Sequence, residues 1–169
     1  MSQLVKYYQA GLFGYILKLT ANRHETEEVF QETWMRAIKN ISRYRDHCFA
    51  AWLFRIARNL AIDRRRARRA TASLDSPNEN GATLLDVLAD AGPSPAARAI
   101  DADQRTRLEL ATQKLPDDQK EVFVLRMDAG RPFKEIAAIQ GVSINTALAR
   151  MQYALEKLKT ELADGRDAS

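Results

Sequence analysis

The chain has 169 residues, a formal net charge of +4 and one cysteine, Cys48. A lone cysteine excludes an intrachain disulfide and a cysteine metal cage, which fits a reducing cytosol. No apolar run reaches the roughly 18 residues of a membrane-spanning helix, and the first 20 residues are too polar for a secretory signal peptide.

Charge is unevenly distributed along the chain. Residues 1–70 carry 14 Lys and Arg against six Asp and Glu, whereas residues 71–103 carry one against six. Residues 104–169 carry 11 against 10 and are nearly neutral. The basic first third indicates a surface for a polyanion, and on charge alone both nucleic acid and anionic lipid remain candidates.

The first 70 residues show helical periodicity, which predicts three helices over 3–20, 25–41 and 48–69. Apolar residues recur at helical spacing in the first of these at Leu4, Tyr7, Tyr8, Leu12, Tyr15, Ile16 and Leu19. The residues predicted to face inward are Val29, Phe30, Thr33, Trp34, Ala37, Ile38 and Ile41 in the second helix, and Leu53, Ile56, Ala57, Leu60 and Ala61 in the third.

Residues 71–94 lack a sustained period and contain Ser, Asn, Gly and Pro, which is typical of a linker. Ser94 and Pro95 have the pattern of a helix N-cap followed by proline at the first helical position. Helices are predicted at 95–114, 116–127, 132–140 and 143–162. We therefore expect an all-α protein with two small helical domains, 1–70 and 95–169, joined by a flexible acidic linker, the second domain having four helices.

The segment FKEIAAIQGVSINTALARM, residues 133–151, has the spacing of a helix-turn-helix. Ala137 is small enough for two helices to cross closely, Gly141 permits a left-handed turn, and Ser143 can cap the second helix. Because these three features agree, the pattern favours DNA binding over an ordinary helical hairpin. On a helical wheel one side of the second helix collects Ile144, Ala147, Met151, Ala154, Leu155 and Leu158, and the other collects Asn145, Thr146, Ala149 and Tyr153, flanked by Arg150 and Gln152.

The segment FAAWLFRIARNLAIDRRRARR, residues 49–69, ends in five arginines within six residues. Asp63 is the only acid in this stretch, so a merely solvated face would leave the self-repulsion of the arginines uncompensated. We interpret the basic face as a nucleic-acid contact. It consists of Arg55, Arg58, Asn59, Arg65, Arg66 and Arg69, while Trp52 borders the apolar side, which favours a place in the core.

Together these segments resemble the bacterial sigma factors of the extracytoplasmic-function group, over nearly the whole chain. ETEEVFQETWMRAIKNISRY resembles the family helix that docks on the polymerase clamp, and WLFRIARNLAIDRRRARR resembles the promoter-melting helix. LPDDQKEVFVLRMDAGRPFKEIAAIQGVSINTALARM is similar to the C-terminal helix-turn-helix. The resemblance implies a transcription initiation factor whose first domain binds polymerase and opens the minus-ten element, and whose second domain binds the minus-thirty-five element. It also implies that the linker runs toward the RNA exit path.

The resemblance, combined with the basic face, implies three sets of site residues. The docking set, for polymerase, is Glu28, Gln31, Glu32 and Arg36. The minus-ten set has two parts: a loop that matches the family loop closing over a flipped base, and the basic face, where Asn59 matches an asparagine of the base pocket. Its members are Arg45, Asp46, His47, Cys48, Arg55, Arg58, Asn59, Arg65, Arg66 and Arg69. The minus-thirty-five set is Asn145, Thr146, Ala149, Arg150, Gln152 and Tyr153.

The sequence departs from the family pattern in two segments that bear on DNA binding. The loop at residues 45–48 lacks the glycine that the family often has, which leaves the base preference open. Leu148 and Leu155 stand where Lys or Arg is frequent, which predicts weak binding to the minus-thirty-five element.

The implied partners are core RNA polymerase, at its clamp and flap regions, and promoter DNA, both double-stranded and melted. An anti-sigma factor is a further candidate partner. No cofactor, metal or membrane partner is expected, and the implied location is the cytoplasm.

Two other functions stay open at this point: a stand-alone helix-turn-helix regulator, and a helical adaptor for another protein or for anionic lipid. A lone regulator has no use for the docking set. A lipid-binding helix would need large apolar residues beside its arginines, where only Ile62 lies. An enzyme is not expected, because neither histidine has a partnered acid or nucleophile in the sequence and no phosphate-loop or metal motif occurs.

Overall fold

The computed structural model describes residues 2–45, 48–72 and 95–164, and all regular structure within them is helical. The seven α-helices of this part of the chain are α1 (Ser2–Thr20), α2 (Arg23–Asn40), α3 (Phe49–Ala72), α4 (Pro95–Gln113), α5 (Asp117–Met127), α6 (Phe133–Gln140) and α7 (Ile144–Asp164), and a 3₁₀ turn (Ile41–Arg43) follows α2. The predicted all-α class is confirmed, and every predicted helix is present with its ends within one turn. Asp46, His47 and residues 73–94 of the predicted linker lie outside the described residues.

Helix α2 begins two residues before its predicted start because Asn22 caps it. The side-chain oxygen of Asn22 accepts a hydrogen bond from the backbone N–H of Glu25 at 3.0 Å. The hydroxyls of Thr20 and Thr26 lie 2.8 Å apart and are buried. These contacts satisfy polar groups at the junction of α1 and α2, so the two helices are joined by only two residues.

Helices α1, α2 and α3 pack against one another around a core of aromatic and aliphatic side chains. The rings of Tyr15 and Phe54 lie 5.4 Å apart, and both residues are almost completely buried. The rest of this core includes Leu12, Ile16, Val29, Trp34, Ala37, Leu53, Ala57, Leu60 and Ala61. The predicted inward faces are therefore confirmed for the central turns of the three helices.

The inward prediction is wrong at the end of α2. Ile38 is 50% exposed and Ile41 is 38% exposed. Leu4 and Tyr7, which share the apolar spacing of α1, are also exposed. Helical periodicity identifies which residues share a face, but it does not say how far along the helix a neighbour covers that face.

The chain forms two compact units. The first unit is Met1–Ala82 with Val124–Ala147, and in it α6 packs against α3. The second unit is Thr83–Phe123 with Leu148–Ser169. Its buried apolar side chains include Ala111, Leu115, Val122, Phe123, Met151, Ala154 and Leu158. These units differ from the segments 1–70 and 95–169, which remain a prediction about domains.

Within the second unit, an ion pair joins Lys114, the residue after α4, to Glu161 of α7, with a distance of 2.6 Å between Nζ and Oε2. Leu155 of α7 is about half exposed, as is Ile144 near the start of the helix. The predicted apolar side of this helix is thus buried only at Ala147, Met151, Ala154 and Leu158. Every helix among the described residues is too short or too polar to span a bilayer.

Candidate polymerase and nucleic-acid interfaces

The arginines at the end of α3 divide into two groups with different partners. Arg64 pairs with Glu28, and Arg68 lies 3.2 Å from Glu25 of α2. These two arginines are therefore neutralised by acids that lie 36 and 43 residues away in the sequence. The expectation that self-repulsion in this helix is uncompensated is wrong for Arg64 and Arg68, because α2 supplies the compensating charge.

The ion pairs with α2 hold the end of α3 in one orientation, and the predicted basic face points away from them. Arg55, Asn59, Arg66 and Arg69 are exposed. Arg58 and Arg65, on the same face, are only partly exposed. The structure thus brings six members of the minus-ten set together on one side of α3.

The loop before α3 contributes the other described members of the minus-ten set. Arg45 is exposed and donates hydrogen bonds to the backbone oxygens of Ser42 and Tyr44, at 3.3 and 3.4 Å. Cys48 is partly buried, and its sulfur accepts a hydrogen bond from the backbone N–H of Ala51 at 3.5 Å. Burial first, and then the neighbouring carboxylate of Glu135, raise the pKa of the Cys48 thiol. A thiol with a raised pKa is mostly protonated at neutral pH, so it presents no negative charge beside this loop.

Sequence reasoning missed an aromatic cluster at this loop. The ring of Trp52 lies 5.0 Å from that of Tyr44 and 5.6 Å from that of Phe49. Tyr8 adds a fourth ring, 5.7 Å from Phe49. Trp52 and Asn59 are seven residues apart and so share one face of α3. In the sequence, the density of aromatic residues on both sides of the loop is the signal that could have predicted this cluster.

The members of the docking set differ in their contacts. Gln31 is exposed on α2, and Glu32 pairs with Arg36 on the same helix at 2.7 Å. Glu28 is instead the partner of Arg64. Next to these polar residues Met35 and Ile38 are 62% and 50% exposed, although both are large and apolar.

The turn before α7 has the predicted helix-turn-helix features. Gly141 adopts a left-handed backbone conformation with φ of 69°. The hydroxyl of Ser143 accepts a hydrogen bond from the N–H of Thr146 at 3.1 Å, which confirms the cap. The hydroxyls of Ser143 and Thr146 also lie 2.8 Å apart, so the Thr146 side chain is engaged in the cap.

The minus-thirty-five set is largely exposed on α7. Asn145, Thr146, Ala149, Gln152 and Tyr153 are exposed, whereas Arg150 is partly buried. The guanidinium of Arg150 lies 3.0 Å from a carboxylate oxygen of Asp118, within the second unit. Leu148, at 44% exposed, lies beside the set and adds apolar surface to it.

Family models match both halves of the chain. The model of Sigma-70 region 2 matches residues 4–71, and that of Sigma-70 region 4 matches residues 105–158. The chain is 30% identical over 159 residues to the ECF RNA polymerase sigma factor EcfG of Rhodopseudomonas palustris, a match that covers 93% of this chain and 82% of that protein. It is 28% identical over 166 residues to the ECF RNA polymerase sigma factor SigW of Bacillus subtilis, covering 96% of this chain and 89% of that protein.

Among solved structures, the fold is similar to that of the sigma factor RpoE of Bartonella quintana, which was solved in complex with the anti-sigma factor NepR. The TM-score is 0.77, the identity is 23%, and the match covers 96% of each chain, so this likeness shows the fold. Two sigma-70 regions on such a fold define a transcription initiation factor. The chain belongs to the extracytoplasmic-function (ECF) RNA polymerase sigma factors, which direct RNA polymerase to promoters. This membership decides against the two alternatives, a stand-alone regulator and an adaptor.

Proposed function

We propose that residues 1–70 dock on core polymerase and open the minus-ten element, and that residues 95–169 bind the minus-thirty-five element. One observation carries the first half of this proposal. The ion pairs of Arg64 and Arg68 with α2 hold α3 so that Arg55, Asn59 and the remaining arginines face outward beside an aromatic cluster. Binding of melted DNA uses positive charge for the phosphates, a hydrogen-bonding group for a base edge, and an aromatic surface for stacking, and this side of α3 has all three.

Within the minus-ten set each chemistry has its own part in DNA opening. The exposed arginines bind backbone phosphates and contribute affinity without sequence preference. The Asn59 amide both donates and accepts hydrogen bonds, so it can read one base edge. Trp52, which is partly exposed rather than in the predicted core, lies two turns earlier on the same face and offers a ring on which an unstacked base can lie. Unstacking a base costs about a few kcal/mol, and these contacts compensate for that cost.

Polymerase docking uses a mixed surface on α2. Met35 and Ile38 supply apolar area, Gln31 supplies hydrogen bonds, and the Glu32–Arg36 pair borders them. This arrangement has an apolar centre and a polar rim, which is typical of protein–protein interfaces. Glu28 acts indirectly, since its carboxylate orients Arg64.

Binding to the minus-thirty-five element is weaker than binding to the minus-ten element. The exposed part of α7 offers Asn145, Gln152 and Tyr153, and its one arginine in the set already has a carboxylate partner. Few phosphate contacts are therefore available, and promoter choice depends more on the minus-ten element.

The partners of the proposed function are the clamp and flap regions of core polymerase and promoter DNA. An anti-sigma factor is also proposed, because the sigma factor RpoE was solved with one. The site of action is the cytoplasm, where polymerase and promoter meet. The protein acts by binding, without catalysis of its own.

Transcription with purified core polymerase tests the proposal. Asn59→Ala should reduce permanganate reactivity of unpaired thymines and relax the preference at one base of the minus-ten element. Gln113→Ala, which removes an exposed amide at the end of α4, is the matched control and should do neither. Normal opening with full base preference in Asn59→Ala would contradict the role of this amide.

A further inference from the structure

An exposed tyrosine near the start of α1 continues the aromatic cluster away from α3. The ring of Tyr7 lies 4.8 Å from that of Tyr8, which lies 5.7 Å from Phe49, and Phe49 lies 5.6 Å from Trp52. These separations are typical of contacting aromatic rings, and together they place the Tyr7 ring within roughly 16 Å of the Trp52 ring. A continuous row of rings therefore runs from the first turn of α3 to the first turns of α1.

Tyr7 is the ring of α1 in this row that has most of its surface accessible. It is 73% exposed, and its contact with Tyr8 is edge-on, with 84° between the ring planes. Tyr8 is half-buried, and the guanidinium of Arg131 already lies 5.7 Å from its ring centroid. A single exposed aromatic residue is common on a protein surface, but Tyr7 stands at the end of a row that begins in the DNA-binding face.

The surface around Tyr7 suits a phosphate backbone. Helix α1 has no acidic residue, and Lys6, next to Tyr7, is exposed. The carboxylate of Glu135, which acts on Tyr8, is paired with Arg131 at 3.4 Å, so this neighbouring pair brings no net negative charge. A polyanion is therefore not repelled from this end of α1, and the lysine attracts it.

The order of chemical groups along α3 indicates which part of the DNA reaches Tyr7. Arg66 and Arg69 lie toward the end of the helix, Asn59 lies in its middle, and Trp52 lies in its first turn. Asn59 and Trp52 are about 10 Å apart along the axis at ~1.5 Å per residue. The arginine end suits backbone phosphates, whereas the row of rings suits bases that have left the stack. A strand that passes Asn59 and then Trp52 continues toward Tyr7.

Resting on the proposed function, we propose that Tyr7 is a second stacking site for melted promoter DNA, which holds an unpaired base beyond the one that lies on Trp52. At ~3.4 Å per stacked nucleotide, the distance between the two rings spans at most about five nucleotides. The second base therefore lies within five nucleotides of the first. Stacking uses the face of any base, so this site stabilises the open strand without a strong sequence preference.

Three substitutions of Tyr7 test the stacking site in the complete holoenzyme. Tyr7→Ala removes the ring, Tyr7→Leu keeps apolar bulk without an aromatic face, and Tyr7→Phe keeps the ring. The alanine and leucine variants should shorten the lifetime of heparin-challenged open complexes by about fivefold or more, and the phenylalanine variant should stay within about twofold of the parent. Gln9→Ala, which changes an exposed residue of the same helix, is the matched control and should have no effect.

An abasic scan locates the base. Single abasic nucleotides are placed along each strand of a promoter whose minus-ten region is already unpaired, and holoenzyme binding is measured for each. In the parent, one abasic position within five nucleotides of the base on Trp52 should weaken binding by about fivefold. In Tyr7→Ala the same lesion should have no further effect, because ring and base form one interaction. The lesion at the base that Asn59 reads should keep its effect in both proteins.

The outcomes separate the stacking site from the proposed function. Parent-like open complexes in Tyr7→Ala and Tyr7→Leu, or an identical abasic scan in the parent and Tyr7→Ala, would overturn the stacking site while promoter opening by the parent stands. Weaker binding of Tyr7→Ala to core polymerase without DNA would assign Tyr7 to a protein contact and overturn it as well. If the parent opened no promoter with core polymerase, the proposed function would fail and the stacking site with it.

Discussion

Replacing Arg66 and Arg69 by alanine should flatten the salt dependence of promoter binding, whereas replacing Arg64 and Arg68 should not. The reason is that the arginines at the end of α3 have different surroundings. Arg66 and Arg69 are exposed on the predicted basic face, while Arg64 and Arg68 pair with acids of α2. The two double variants remove the same charge from the same helix, so each is the matched control of the other.

The magnitude follows from counterion release. Each phosphate contact contributes a slope of about 0.9 in duplex and about 0.7 in single strands on a plot of log affinity against log salt. Loss of two contacts should reduce the slope by about 1.4–1.8, so over a fourfold rise in salt the parent should lose roughly tenfold more affinity than the variant. Fluorescence anisotropy of a labelled promoter fragment with holoenzyme, at several salt concentrations, measures this slope.

The Arg64→Ala, Arg68→Ala variant should change stability instead. An exposed ion pair contributes about 0.2–1 kcal/mol, so loss of both should cost about 1 kcal/mol. For a chain of this size that lowers Tm by about 2–4 °C. A slope reduced equally in both double variants would refute the reasoning, because it would mean that the pairs with α2 do not persist on DNA.

Three further predictions concern the other interfaces. Gln31→Ala combined with Met35→Ala should weaken binding to core polymerase by about fivefold or more without loss of helical circular dichroism, and an unchanged affinity would remove α2 from the docking surface. Arg150→Ala should lower promoter affinity by about 1–3 kcal/mol if the arginine meets a guanine edge, whereas Asp118→Ala, which removes its partner, should retain binding. If Arg150→Ala lowers affinity equally for the normal promoter and for a template with a scrambled minus-thirty-five element, Arg150 contacts phosphate only. Gly141→Ala should destabilise the protein by about 1–2 kcal/mol in thermal unfolding, because its backbone is left-handed, and an unchanged Tm would contradict that strain.

The helices could be predicted from the sequence because their signals are local. Apolar spacing, Ser143 as a cap and Gly141 at a left-handed turn act over one or two turns of chain. The structure confirms the cap and the left-handed turn, and it confirms the apolar spacing in the central turns of α1, α2 and α3. The resemblance of three short segments to one family was equally local, and the family matches confirm it. The grouping of the minus-ten residues on one face of α3 also follows from helical periodicity, since Asn59 and Arg66 are seven residues apart.

Only the tertiary structure showed what Arg64 and Arg68 bind. Helical periodicity places these two arginines off the basic face of Arg66 and Arg69, but their acidic partners lie about 40 residues away on another helix. Periodicity likewise could not show that Ile38 is exposed, because exposure depends on how far the neighbouring helices extend. The docking of Arg131 on α1 and α3 joins residues more than 70 positions apart. Such contacts form between surfaces whose fit depends on the relative placement of whole helices, and no local pattern encodes that placement.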